Sequence, residues 1–268
     1  MQTENQGVSI RYQVTGGGPH LTLVHGVGGA MDAWDGVVAE LAGEFELLRY
    51  DLRGHGESGK PPGPYHIDDF VSDLRALLDA RGVERTTVVG FSMGGMIGQA
   101  FALAEPARTE RLILISAVAG RTEPERAAVI ARADALASGG ASQTIDAALE
   151  RWFTPEFRAA HPEIIEARRK RATTSDPAAY AAAYRVFAET ELAARLGEIA
   201  CPTLVVTGEH DAGSTPRMAA LMHERIRGSR LEILPRLRHS VLIEAPTLVS
   251  ELIRDFVVGS APPRRRDR

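Results

Sequence analysis

Short apolar runs alternate with amphipathic segments along most of the chain, and this alternation predicts its elements. The runs are rich in Val, Ile and Leu and are bounded by Gly, Pro and charged residues, which is typical of buried strands. Predicted strands cover residues 21–24, 45–50, 86–89, 111–115, 203–207 and 230–234. Helical segments separate most of them, and this order favours βαβ units, hence a mostly parallel central sheet flanked by helices.

Residues 67–78 form the clearest predicted helix. Their apolar positions recur at the spacing of one helical face, and Gly82 follows as a candidate C-cap. The stripe consists of Ile67, Phe70, Val71, Leu74, Leu77 and Leu78.

The N-terminal region has a different pattern. Residues 8–14 alternate loosely between apolar and polar, and a Gly-rich turn at 16–19 leads into the apolar run 21–24. This order predicts a β-hairpin.

The alternation of strands and helices stops between residues 119 and 197. That stretch is rich in Ala, Arg and Glu and has helical signals but no convincing strand, so it predicts an all-helical insertion. We therefore expect a core made of 1–118 and 198–258, with the insertion between them. The basic tail, 259–268, is expected to be disordered.

One stretch carries a chemical signature. The run 87–89 ends at Gly90-Phe91-Ser92-Met93-Gly94, and a helix-compatible segment begins at once. A Gly-x-Ser-x-Gly turn between strand and helix strains the serine backbone and lifts its hydroxyl out of the sheet. Taken alone, the motif is equally compatible with an incidental serine in a Gly-rich turn.

The partners of a nucleophilic Ser92 decide between these readings. A serine hydroxyl is a weak nucleophile until a base accepts its proton, and the base needs a carboxylate to orient it. His239 follows the last predicted strand, and Asp211 follows the strand before it, with Glu209 as the alternative carboxylate. The order Ser92, Asp211, His239 is that of a nucleophile-elbow hydrolase, so these three are the predicted catalytic residues.

Two backbone amides are expected to bind the developing oxyanion. Met93 opens the helix after the serine, where amides lack an intrahelical partner. Val27 lies in the Gly-rich turn after strand 21–24, where this architecture supplies the second donor. Trp152 and Phe153 in the insertion are candidate substrate-binding residues, although each also suits a packing role.

Composition narrows the function classes. The 268 residues are 44% hydrophobic and carry a net charge of −4, which argues against nucleic acid as a partner. Neither a signal peptide nor a membrane span is predicted, and the single cysteine, Cys201, fits a reducing cytoplasm. Since the sequence has no metal-ligand spacing and no phosphate loop, we expect neither a metal nor a cofactor. A homodimer stays open.

These motifs resemble the α/β-hydrolase fold family over nearly the whole chain. The matching stretches are His25-Gly26, 51–58, 90–95, 208–211 and His239. Within the family, the chain resembles the 3-oxoadipate enol-lactonases of aromatic catabolism at 49–56, 61–65, 92–99 and 151–155. The pair His25-Gly26 departs from that branch.

The resemblance implies an α/β-hydrolase fold with residues 119–197 as a helical cap. It also implies cofactor-free hydrolysis of a small ester or lactone, such as a 3-oxoadipate enol-lactone, through an acyl-enzyme on Ser92. Haloalkane dehalogenases and epoxide hydrolases place Asp at the elbow, so Ser92 counts against both. The meta-cleavage C–C hydrolases and perhydrolase-type enzymes share the triad and stay open, as does a ligand-binding receptor on the same fold.

Overall fold

A central sheet organises the structure, a computed structural model that describes residues 1–138 and 141–259. Its strands are β1 (Gln2–Asn5), β2 (Val8–Thr15), β3 (His20–Val24), β4 (Glu46–Tyr50), β5 (Thr86–Phe91), β6 (Thr109–Ile115), β7 (Thr203–Gly208) and β8 (Arg230–Leu234). Among the described residues these eight strands lie in the order β1-β2-β4-β3-β5-β6-β7-β8. All neighbours from β4 to β8 in that order pair in parallel, as predicted.

Helices fill the connections between the strands. They are α1 (Asp35–Leu41), α2 (Ile67–Ala80), α3 (Met93–Ala104), α4 (Glu123–Ala137), α5 (Ala141–Trp152), α6 (Pro155–Ala160), α7 (Pro162–Thr174), α8 (Pro177–Glu189), α9 (Pro216–Arg225), α10 (Val241–Glu244) and α11 (Pro246–Gly259). Short 3-10 turns lie at Met31–Trp34 and Ala193–Glu198. The predicted helix over 67–78 is confirmed as α2, whose apolar stripe is buried.

The predicted N-terminal hairpin is wrong. β2 pairs antiparallel with β1 and β4, whereas β3 lies between β4 and β5. Every residue of β3 after His20 is buried, and such a strand needs neighbours on both edges and cover on both faces. β2 alternates between buried and partly exposed residues, which suits a place near the sheet edge.

β1 was not predicted from the sequence. Its residues, Gln-Thr-Glu-Asn, are all polar, and none of them is buried. As an edge strand it pairs on one side only, so it needs no apolar pattern.

Two hydrophobic cores cover the two faces of the sheet. One packs α2, α3 and α9 against the sheet, and the other packs α1 and α11 against the opposite face. Successive strand residues point to opposite faces, so Val88 of β5 joins the first core and Val89 joins the second. Because helices cover both faces of the sheet, a site is expected beyond the carboxyl ends of the strands.

The predicted insertion, residues 119–197, contains helices α4 to α8 and no strand among its described residues. Within it α4 packs against α8, and α5 packs against α7. The chain then returns to the sheet at β7. Apart from residue 259, the predicted tail lies outside the described residues.

Candidate active site

Ser92 stands at a sharp turn between β5 and α3. Its backbone has φ +54° and ψ −116°, a conformation that L residues rarely adopt, and its N–H donates to the Ile115 carbonyl at 2.9 Å. The flanking glycines allow the close approach: a Cβ at Gly90 would overlap the Gly94 backbone, and a Cβ at Gly94 would overlap that of Val24. The strained serine and the glycine spacing agree with the nucleophile elbow expected from the sequence.

Asp211 and His239 meet beyond the ends of β7 and β8. His239 Nδ1 lies 2.8 Å from Asp211 Oδ2, and the carboxylate is almost fully buried. Asp211 Oδ1 also accepts the backbone N–H groups of Gly213 and Ser214, at 2.9 and 2.8 Å. These bonds hold the carboxylate so that it orients the imidazole.

The alternative carboxylate has a different partner. Glu209 accepts the Arg236 backbone N–H at 2.8 Å, and its side chain is half exposed. Of the two sequence candidates, the structure brings Asp211 to His239.

Ser92 and His239 line one cavity of about 260 Å³. The Phe91 ring packs against the His239 ring, with 5.1 Å between the centroids. Within the described part of the chain no hydrogen bond joins the Ser92 hydroxyl to His239. Contacts of this kind often tighten only when substrate binds.

The two predicted oxyanion donors are backbone N–H groups that have no hydrogen-bond acceptor among the described residues. Neither the Val27 N–H nor the Met93 N–H donates to a group in the described residues. Met93 is the first residue of α3, and Val27 lines the cavity beside Ser92. Both amides are thus free to bind negative charge on a substrate oxygen.

Two buried histidines support the turn that carries Val27. His25 Nε2 accepts the Leu52 N–H at 3.0 Å, and His55 Nε2 accepts the Gly28 N–H at 3.0 Å. Burial lowers the pKa of His25 to about 4 and that of His55 to about 3, so both rings are neutral.

Trp152 and Phe153 both reach the cavity wall. Phe153 is almost fully buried and stacks on Phe157, with 5.4 Å between ring centroids, so it also has the packing role expected as the alternative. The Trp152 carbonyl accepts the Ser240 N–H at 2.9 Å, directly after His239.

Further bonds tie the insertion to the loop that carries His239. Arg238 donates from Nη1 to the Phe153 carbonyl at 3.3 Å. Thr154 donates its hydroxyl to Glu244 at 2.6 Å and its backbone N–H to the same carboxylate at 3.1 Å. The cavity wall and the histidine loop are therefore one hydrogen-bonded unit.

Arginines give the cavity a positive lining. Arg121, Arg132 of α4, Arg151 of α5 and Arg168 of α7 line it, and in the described part of the chain none of the four has an ion pair. Arg132 donates to the Tyr184 hydroxyl at 3.2 Å. Burial, reinforced by Arg132, lowers the pKa of Arg151, although a guanidinium stays protonated at neutral pH.

The two carboxylates at the cavity do not neutralise this charge. Asp211 is bonded to His239, and Glu125 forms an ion pair with Arg217 at 2.6 Å. Residues 168–171 of α7 read Arg-Arg-Lys-Arg, a basic run, and of these four only Arg168 reaches the cavity; Arg169 pairs with acidic residues at the surface. The cavity is thus mainly apolar, with unpaired guanidiniums in its wall.

Residues 1–138 and 141–259 contain neither a metal-binding cluster nor a membrane-spanning helix. No group of three or more His, Cys, Asp or Glu side chains could hold a metal ion there. In the same residues, no helix has the length and apolar character needed to cross a bilayer.

Comparison with known proteins places this site in a family. A family model described as alpha/beta hydrolase fold matches residues 19–246. The chain is 32% identical over 231 residues to 3-oxoadipate enol-lactonase 2 of Acinetobacter baylyi, covering 85% of this chain and 86% of that one. It is 29% identical to (E)-2-((N-methylformamido)methylene)succinate hydrolase of the same organism, covering 93% and 94% of the two chains.

A solved structure agrees. The crystal structure of the enol-lactonase from Burkholderia xenovorans LB400 superposes with a TM-score of 0.90 at 30% identity, covering 96% of this chain and all of that one. The predicted resemblance and fold class are confirmed. The chain belongs to the α/β-hydrolase fold family and is similar to enol-lactonases.

Proposed function

We propose that the protein hydrolyses a small carboxylic ester or lactone, in the manner of a 3-oxoadipate enol-lactonase, without a cofactor. The observation that carries the proposal is the cavity itself. It brings together the strained Ser92, the bonded pair Asp211 and His239, and Val27, whose amide is free; the free amide of Met93 follows Ser92 in the chain.

The chemistry follows from these groups. His239 Nε2 accepts the Ser92 proton while Oγ adds to the ester carbonyl, and the amides of Val27 and Met93 donate to the oxyanion. Collapse breaks the bond to the leaving oxygen, which takes the proton from His239 and leaves an acyl group on Ser92. Water, deprotonated by His239, then adds to the acyl carbonyl and releases the acid with Ser92 restored. Asp211 stabilises the imidazolium in both halves.

The cavity wall supports a small anionic substrate. Apolar side chains, including Trp152 and Phe153, would contact the carbon skeleton, and unpaired arginines would bind a carboxylate. A lactone suits this site because ring opening keeps the leaving hydroxyl attached, so that no second molecule has to depart before water enters. The names of the two Acinetobacter relatives, an enol-lactonase and a succinate hydrolase, agree with an acidic substrate.

The cellular setting is inferred from cysteine usage. Cys201 is free and partly buried, and burial raises the pKa of its thiol, so it is a packing residue rather than a nucleophile. A chain that relies on no disulfide suits the cytoplasm.

A covalent probe tests the proposal. A fluorophosphonate should add to one serine in the intact mass of the wild-type protein, and Ser92→Ala should abolish both the adduct and ester hydrolysis. Ser250→Ala is the matched control, because Ser250 is a buried serine on α11 outside the cavity. Unchanged hydrolysis in Ser92→Ala would refute the proposal.

A substrate panel tests the reaction class. It contains an enol-lactone, neutral aryl esters and a meta-cleavage dienoate. We expect the lactone to give the highest kcat/KM. A preference for the dienoate would refute the ester and lactone assignment and favour C–C hydrolysis.

A further inference from the structure

The turn after β3 has a defined shape. The Gly29 N–H donates to the Gly26 carbonyl at 3.1 Å, and Gly28, the third of the four residues, has φ +73°. A positive φ at that position is the mark of a type II turn, in which the central peptide has one of two opposite orientations. The amide of Val27 precedes this central peptide.

His25 holds the peptide that contains the Val27 amide. Its Nδ1 lies 2.8 Å from the Gly26 carbonyl oxygen, which therefore accepts from both His25 and Gly29. In a trans peptide the C=O and the N–H point in opposite directions, so a fixed Gly26 carbonyl fixes the direction of the Val27 N–H.

His55 holds the next peptide. Its Nε2 accepts the Gly28 N–H at 3.0 Å, while its Nδ1 lies 3.0 Å from the Arg53 carbonyl. This bond opposes rotation of the central peptide of the turn. Rotation there would change ψ of Val27 and so disturb the backbone of the residue that carries the proposed donor.

This arrangement requires both imidazole rings to be in the tautomer that carries its proton on Nδ1. Each Nε2 faces a backbone N–H, so it must accept, and each Nδ1 faces a carbonyl, so it must carry the proton. The two rings pack edge to face, 5.3 Å apart, and both are buried. Nothing in the catalytic cycle outlined above uses either ring.

We propose that His25 and His55 are positioning residues for catalysis, which aim the Val27 amide at the substrate oxyanion by fixing two successive peptides. The proposal rests on the proposed function, because it assumes that an oxyanion forms at Ser92. Both act through the backbone of the turn, and neither contacts substrate.

Crossed substitutions test it. Asparagine places its amide nitrogen near the position of Nδ1, and glutamine places its amide group near Nε2. Thus His25→Asn keeps the donor to the Gly26 carbonyl and His25→Gln loses it. His55→Gln keeps the acceptor for the Gly28 N–H and His55→Asn loses it.

The expected pattern is opposite at the two sites. His25→Gln and His55→Asn should each lower kcat by roughly 10- to 100-fold and leave KM nearly unchanged. This loss of kcat is at most about as large as that caused by removing an oxyanion donor altogether. His25→Asn and His55→Gln should stay within about threefold of the wild type, because the bond to the turn persists. His20→Asn and His20→Gln are controls, since His20 bonds to Thr86 away from the cavity.

A second measurement separates positioning from general destabilisation. A trifluoromethyl ketone forms a tetrahedral oxyanion on Ser92, so its affinity should fall in His55→Asn in parallel with kcat, while thermal unfolding midpoints identify any variant that is merely unstable. Equal activity in His55→Asn and His55→Gln, or unchanged ketone affinity in folded His55→Asn, would overturn the proposal.

Nitrogen NMR of the two rings tests the geometry without turnover. Protons on Nδ1 at neutral pH support the arrangement, and a proton on either Nε2 overturns it. If the wild type neither hydrolyses esters nor reacts with the phosphonate, the proposed function has failed. The ring tautomers alone still identify failure of the positioning geometry.

Discussion

Replacing Arg151 by methionine would remove a half-buried positive charge from the cavity wall while keeping most of the length of the side chain. Arg151 stands in the last turn of α5, and in the described residues it has no ion pair or hydrogen bond. Its guanidinium is therefore free to bind a substrate anion, and the substitution leaves no buried carboxylate without a partner.

The magnitude follows from that geometry. A hydrogen bond to a charged group contributes about 1.5–3 kcal/mol, which corresponds to roughly a tenfold to a hundredfold change in binding. Because Arg121, Arg132 and Arg168 remain in the wall, we expect Arg151→Met to lower kcat/KM for an anionic substrate by about tenfold to thirtyfold, the lower part of that range. The effect should appear mainly in KM, since the anion is bound equally in ground and transition states.

The assay compares two esters that differ in one charge. Wild-type protein should hydrolyse 4-nitrophenyl hydrogen adipate with a higher kcat/KM than 4-nitrophenyl methyl adipate, in which the distal carboxylate is masked. Arg151→Met should lower this ratio by lowering activity on the acid alone. Release of 4-nitrophenol is followed by absorbance for both esters.

Arg169→Met is the matched control. It changes the net charge by the same amount, but Arg169 pairs at the surface with Asp146 and Glu166. Its ratio should stay at the wild-type value. An equal drop in both variants would refute direct binding and point to the long-range field of the protein, and an unchanged ratio in Arg151→Met would refute any role for Arg151 in anion binding.

Three further outcomes are expected. Asp211→Asn should lower kcat by about 10⁴-fold with little change in KM, as in serine hydrolases that lose the carboxylate orienting their histidine, and a loss below tenfold in steady-state assays would contradict that role. Histidines in the unfolded chain protonate near pH 6.5, whereas folded His25 and His55 protonate only near pH 4 and 3. The free energy of unfolding should therefore fall by a few kcal/mol as the pH drops from about 6.5 towards 4. Urea titrations should show a smaller fall for His55→Gln, because glutamine does not titrate. Gly94→Ala should destabilise the fold by about 1–3 kcal/mol, because the added methyl overlaps the backbone of β3, whereas Gly43→Ala, which meets no atom within 4 Å, should not; urea unfolding compares the two.

The sequence predicted those elements whose structure is determined by residues adjacent in the chain. The apolar stripe of α2 and the turn around Ser92 are written in consecutive residues, so their structures followed directly. β1 and the pairing of β2 did not follow, because strand neighbours are chosen by burial across the whole sheet rather than by adjacency in sequence.

Some residues of the candidate site were likewise predictable from the sequence, and others were not. His239 and Asp211 were identified because each follows a strand end, and parallel strands deliver such loops to one edge. Arg132 and Arg151 carry no comparable signal. A cationic residue on a polar helix is ordinarily solvated, and only the packing of α4 against α8 and of α5 against α7 turns these two towards a cavity.

The hydrogen bonds between the insertion and the His239 loop have an evolutionary consequence. Residues 150–154 line or adjoin the cavity wall, yet their carbonyls and Thr154 also bind residues 238–244. We therefore expect a mutation in this wall that admits a new substrate also to shift His239, the proposed general base. Mutations in α4, α7 and α8 can change the substrate range without changing turnover, whereas mutations at the end of α5 change both. A chimera that exchanges the insertion between relatives should keep turnover only when segments 150–154 and 238–244 come from the same parent.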